Sequence, residues 1–89
     1  MADDWAKHLA RTQTLNHDDF ANRLIAAVGN VTGAENADQG STTPAECVTA
    51  WENSPPHLSN ILGDYTHAGA GLAIDANGVF YWVADFARL

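Results

Sequence analysis

The stretch HAGAGLAIDANGVFYWVADF, residues 67–86, constrains this chain more than any other. Its Asn77-Gly78 step is a strong signal for a β-hairpin turn, and a run rich in apolar residues flanks it on either side. Side chains alternate along an extended strand. Val79, Tyr81, Val83 and Asp85 therefore share one face, and Phe80, Trp82, Ala84 and Phe86 share the other. Both faces are substantially apolar, so the sheet needs cover on both sides. The earlier segments are helical in pattern, which makes the expected architecture α+β: an α-β-α sandwich whose small antiparallel sheet is closed by the C-terminal hairpin.

The helices are read from their periodicity and their ends. DDWAKHLARTQTL carries Trp5, Leu9 and small alanines on one face, with Asp3 and Asp4 at the positive N-terminal end. In DDFANRLIAAVGN, Phe20, Leu24 and Val28 recur every fourth residue beside Ile25, and Gly29-Asn30 is a stop. VTGAENADQG is polar and glycine-bearing, a loop with room for one short strand. TPAECVTAWEN opens with Thr43, Pro44 and Glu46 in a capping-box arrangement, and its Val48 and Trp51 are expected to face the core. Cys47, four residues before Trp51, reads as a small buried hydrophobe rather than a reactive thiol. In WENSPPHLSNIL one helix should stop near Trp51 and Ser54 should cap the next. Pro55 and Pro56 then set φ for its first turn, where His57 projects, and Leu58, Ile61 and Leu62 form a short apolar stripe.

Composition narrows the function classes. The 89 residues form a single small domain, and its one cysteine excludes an internal disulfide. Four Lys/Arg against eleven Asp/Glu give a formal charge of −7, which repels phosphate backbones and anionic headgroups, so nucleic acid is not an expected partner. No apolar run approaches the roughly 20 residues of a membrane span. The opening MADDWAKHLA lacks the layout of a signal peptide.

Polar groups outside helix surfaces are few: His17, Glu35 and His57, with Asp18 and His67 in reserve. The first three lie in three separate connections, where rigid elements commonly present functional groups. Two imidazoles and a carboxylate can hold a divalent cation such as Zn²⁺ or move protons near neutral pH. The plainer alternative is that the histidines satisfy backbone groups of loops.

The order WAKHLA, LNH, AEN, AW, SPPHLSNIL, AGAGLA and VFYWVADF resembles the CAP superfamily over nearly the whole chain. This family comprises cysteine-rich secretory proteins, antigen 5 and pathogenesis-related proteins, and its unit is also called the SCP domain. The short, cysteine-poor bacterial members are the most similar. The resemblance implies an α-β-α sandwich, secretion, and a cleft of two histidines and two acids that binds divalent cations in several members. By motif, His17 matches the first histidine, Glu35 the acid of Gly-Glu-Asn and His57 the second histidine, while Ser54 stands where larger members carry the second acid. Ala34 replaces the usual glycine, and Leu58 stands where bacterial relatives usually carry arginine. The family's opening helix, which normally precedes the WAKHLA helix, has no counterpart, so residues 1–89 read as one N-terminally shortened CAP/SCP-like domain.

The function this implies is a secreted binding module. Its His17/Glu35/His57 cleft would hold a divalent cation, and its partners would be a sterol, a fatty acid or a protein target. The alternatives are a metal-dependent, protease-like hydrolase, with Glu35 as base and His17 and His57 on a metal-bound water, or a structural or oligomeric module with a vestigial cleft. Without the opening helix, apolar surface on the WAKHLA helix or the sheet should face water, which favours a homodimer.

Overall fold

The computed structural model describes residues 1–89. Helix α1 (Ala2–Thr12) and helix α2 (Phe20–Val28) precede strand β1 (Thr32–Gln39). Helices α3 (Pro44–Glu52) and α4 (Pro55–Leu62) follow, and strands β2 (His67–Ile74) and β3 (Phe80–Arg88) complete the chain. The sheet is fully antiparallel in the order β1-β3-β2, so the apolar β3 lies at its centre. The fold is α+β, as the hairpin required.

Helix α1 buries Ala2, Trp5, Ala6, Leu9 and Ala10, one stripe at helical spacing, against Ala37, Tyr81 and Val83 of the sheet. The helix passes so close to β2 that a Cβ on Gly71 would come within 2.4 Å of the Asp3 Cα, so glycine is required there. It ends earlier than its pattern suggested, at Gln13 in the left-handed region (φ 53°). Thr12 Oγ1 donates back to His8 O, and Trp5 Nε1 donates to Asn16 O, which folds the following residues over the helix.

On the opposite face, Cys47 and Trp51 of α3 pack on Ala84, flanked by Trp82 and Phe86. Burial pushes the Cys47 thiol up to about 12, the behaviour of an inert core residue. Trp51 Nε1 donates to Ala37 O (3.2 Å) and Trp82 Nε1 donates to Ser41 O (2.7 Å), so both indoles bind backbone as well as fill space. Val48 is 45 % exposed and does not join them, because the i, i+4 pair Cys47 and Trp51 already defines the buried side of α3. At its start, Thr43 Oγ1 accepts from Glu46 N, while the Glu46 carboxylate turns back to Thr42 rather than to Thr43.

Three further expectations change. The segment read as a loop with one short strand is an eight-residue strand, β1, paired with β3 from Thr32↔Arg88 to Gln39↔Tyr81. Its own sequence is weakly strand-like. The partner β3 provides the ladder, and the polar residues of β1 find specific partners. In α2 only Leu24 is buried, its side chain lying over Gly33, whereas Ile25 and Val28 face outward. The second face of the sheet is covered over β1 and β3 but not over β2, where Leu72 and Ile74 remain exposed.

The hairpin turn behaves as its sequence indicated. Asp75 N donates to Val79 O, Gly78 N donates to Asp75 O, and Gly78 takes a φ of 80°.

Candidate functional site

The edge strand β1 carries adjacent residues to opposite faces of the sheet, and each anchors a different helix. Glu35 points toward the α1/α2 side. Its Oε1 accepts from His17 Nδ1 (2.8 Å) and from one Arg23 nitrogen (3.0 Å), and its Oε2 accepts from the other terminal nitrogen of Arg23 (2.7 Å). The Glu35 side chain is 1 % exposed against 48 % for His17, so a buried carboxylate holds a half-exposed imidazole. Arg23 is positioned in turn: its guanidinium carbon lies 3.7 Å from the Trp5 ring centre, and its Nε donates to Asp18 O.

This arrangement fixes the charge on Glu35. Burial pushes its pKa up, but the charge-assisted bonds from Arg23, together with Asp85 and His17, hold it below the usual carboxylate value. Glu35 is thus an ionised acceptor with both oxygens in use. Because Glu35 accepts the Nδ1 proton of His17, the Nε2 lone pair is left as the coordinating position of that ring.

Asn36, fully buried, points to the other side. Its Nδ2 donates to His57 O (3.1 Å), and its Oδ1 accepts from Asn60 Nδ2 (2.8 Å). These bonds fasten α4 to β1 at the turn that bears His57. Ser54 is the N-cap residue of α4, yet its hydroxyl pairs with His57 Nδ1 (2.9 Å) instead of capping the helix. Pro55 and Pro56 set the first turn, and Ser54 fixes the ring that projects from it. His57, like His17, is held through Nδ1.

Of the three residues singled out in the sequence, His17 and Glu35 are in direct contact, while His57 stands on the first turn of α4, which its carbonyl oxygen ties to Asn36 of the edge strand β1. No three His, Cys, Asp or Glu side chains are grouped as a cage for a metal ion. Asp18 contributes its carbonyl oxygen to Arg23, and His67 lies on β2 with Nδ1 on Thr66 Oγ1. Ala34 sits in regular strand paired with Phe86, so the absence of glycine there costs nothing.

Sequence reasoning missed Arg23, Asn36, Asn60 and Asp85. Asp85 lies opposite Glu35 in the β1/β3 register; no N–H or hydroxyl reaches its buried carboxyl, whose hydrogen-bond partner is the Glu35 carboxylate itself. Its pKa is raised to about 8, by burial first and then by the Glu35 carboxylate. The signal was present: alternation put one acid on the face of β3 that also carries Tyr81 and Val83.

Comparison with known proteins identifies the family and the fold. The profile of the cysteine-rich secretory protein family, CAP, matches residues 1–86. The chain is 49 % identical over 41 residues to "Uncharacterized protein YkwD" of Bacillus subtilis (strain 168); the match takes in 45 % of this chain and 16 % of that protein. Among solved structures, an outer surface protein from Borrelia burgdorferi superposes with a TM-score of 0.86 at 22 % identity. That superposition covers 98 % of this chain and 69 % of that one, and it shows a shared fold.

Proposed function

The chain belongs to the CAP family of cysteine-rich secretory proteins, and on that premise we propose that it is an extracellular binding module whose cleft holds a divalent cation such as Zn²⁺ between His17 and His57. The observation that carries this reading is the way the two imidazoles are held. Each is fixed through Nδ1, His17 by Glu35 and His57 by Ser54. A metal-binding histidine usually has its other nitrogen fixed in this manner, which sets the ring's orientation and raises its basicity. The two Nε2 atoms would be the protein ligands, and solvent or a bound partner would complete the coordination. Glu35 then acts behind His17 rather than on the metal.

The same clamp argues against hydrolysis with Glu35 as base. A carboxylate that accepts three charge-assisted or imidazole hydrogen bonds and has a lowered pKa is a weak proton acceptor. A binding role asks nothing of Glu35 beyond orientation.

Calorimetry with Zn²⁺ tests the reading. The wild type should bind one ion, His17→Ala and His57→Ala should each abolish that binding, and Glu35→Gln should weaken it by roughly 10- to 100-fold, as expected when an orienting partner is lost. Equal binding by wild type and His57→Ala would place the ion elsewhere and defeat the proposal.

A further inference from the structure

The two edges of the sheet are finished differently. Along β1 the outward carbonyls are capped by side chains: Trp51 Nε1 donates to Ala37 O (3.2 Å) and Asn60 Nδ2 donates to Glu35 O (3.4 Å). Strand β2 forms the other edge, paired with β3 without interruption from His67↔Ala87 to Ile74↔Phe80. Asp75 N donates to Val79 O beside that ladder, and bonded pairs in an antiparallel sheet recur at every second residue. Gly69, Gly71 and Ala73 therefore spend their backbone groups on β3. Ala68, Ala70, Leu72 and Ile74 direct theirs outward, where no side chain caps them. Edge strands are ordinarily protected by a proline, a bulge or a charged side chain. β2, HAGAGLAI, has no proline, no bulge and no Lys, Arg, Asp or Glu.

We propose that the open edge of β2 binds an extended peptide of a partner protein, added as a further strand, in which large apolar residues alternate with acidic ones. Unpaired N–H and C=O groups at every second residue are matched by an extended backbone and by no compact ligand. The alternation follows from what flanks the edge. Side chains opposite Ala70, Leu72 and Ile74 would fall on the face where Leu72 and Ile74 stand exposed, and would extend that apolar surface. The side chains between them would point to the α1 side. There α1 and the β2/β3 turn enclose a hollow of about 420 Å³ that contains Lys7 and Arg11, two of only four Lys/Arg in a chain of charge −7. Lys7 is paired with the exposed Asp3, a surface contact that a ligand can displace. Asp75, the acid in the hollow, already accepts from Asn77 N, Val79 N and the Tyr81 hydroxyl. Charge complementarity at this point selects an acidic side chain. A second copy of the chain fits poorly, because its β2 carries no acid and Asp3 of α1 stands directly over Gly71. Pairing across the middle of two β2 strands would bring two helix backbones to roughly 4.8 Å, where helices pack about 8–10 Å apart. The edge is separate from the cation cleft and does not depend on it.

Titration of ¹⁵N-labelled protein in EDTA with an acetylated, amidated VEVEVEVE peptide, followed by amide chemical shifts, tests the proposal. Saturable shifts should centre on Ala68, Ala70, Leu72 and Ile74. N-methylation of the peptide's valines, whose N–H groups would face β2, should abolish binding, whereas N-methylation of its glutamates should spare it. Ala70→Pro removes one outward N–H without touching the β2/β3 pairs and should weaken the peptide about tenfold. Reversing both cations, with Lys7→Glu and Arg11→Glu, should weaken VEVEVEVE at least about tenfold and make a VKVKVKVK peptide the better ligand. Both positions are exposed on α1, so this variant carries the test even where Ala70→Pro fails to fold. The assignment is overturned by no shifts at millimolar peptide, by shifts centred away from β2, or by equal binding of the valine-methylated peptide. Indifference of the wild type to glutamate against lysine would overturn the acidic partner. Changes at the same amides on raising protein concentration, without peptide, would give the edge to a second copy and overturn the occupant named here. With the cleft kept free of metal, failure in this experiment leaves the cation reading standing.

Discussion

Replacing Asp85 with asparagine should stabilise the fold, and by an amount that grows with pH. Asparagine keeps the shape of the side chain and removes its ionisation. In the folded chain the Asp85 pKa is raised from 3.8 to about 8, so between those values the native state keeps a proton that the unfolded chain has released. Stability contributed by a raised acid is present at low pH and lost as pH rises through this window, at a limiting rate of about 1.4 kcal/mol per pH unit. From pH 5 to pH 7.5 the limit is therefore about 3.5 kcal/mol. Sharing of the proton with Glu35 and local relaxation reduce it, and about 2 kcal/mol is expected. The lowered pKa of Glu35 has the opposite sign, but its effect is lost only as pH falls below the ordinary carboxylate range, outside the interval measured. In a domain of this size, 2 kcal/mol corresponds to roughly 8–16 °C in Tm. Thermal unfolding of wild type and Asp85→Asn at pH 5 and pH 7.5 measures it directly. A variant advantage that stays constant between the two pH values, or a variant less stable than wild type at pH 7.5, would refute the reasoning.

The remaining predictions concern the supports of the site and of the sheet. Arg23→Ala removes both guanidinium bonds to Glu35 and leaves that carboxylate buried without its fixed positive charge, so urea unfolding should show a loss of about 3–5 kcal/mol. Arg23→Lys should recover only part of it, because a point charge cannot reproduce the two-nitrogen contact. Gly71→Ala drives a methyl into the backbone of α1 at Ala2 and Asp3 and should cost about 1–3 kcal/mol, whereas alanine at Gly69, with nothing near its Cβ position, should be tolerated.

How far the sequence reveals this protein depends on where its information is local. The β2/β3 hairpin was legible because Asn77-Gly78 and strict alternation act within a few residues. The α4 start was legible because Pro55 and Pro56 restrict φ wherever they occur. β1 was not, because Gly33, Glu35, Asn36 and Asp38 have little intrinsic preference for strand, and the ladder that holds them belongs to β3, more than 40 residues later. The outward turn of Ile25, Val28 and Val48 was hidden for a related reason: periodicity shows that a helix has an apolar stripe, but not how much of that stripe a small sheet can cover. At the site, the family motifs marked His17, Glu35 and His57. They could not show that Arg23, one of four basic residues, would spend its charge inside the fold on Glu35.

The placement of Glu35 and Asn36 at consecutive positions of an edge strand explains why the two histidines form a related pair. Because successive side chains alternate, the strand cannot turn Glu35 toward α2 without turning Asn36 toward α4. A one-residue slip of β1 against β3 would exchange them, putting the carboxylate under α4 and the amide beside Arg23, and both sets of hydrogen bonds would be lost together. The register that buries Ala37 in the α1 core is the same one that places Glu35 against His17 and Asn36 against the His57 carbonyl. The geometry of the cleft is thus tied to core packing through three successive residues. A substitution that shifts Ala37, which bonds neither imidazole, should disturb His17 and His57 in concert, seen as paired changes in the NMR signals of the two rings.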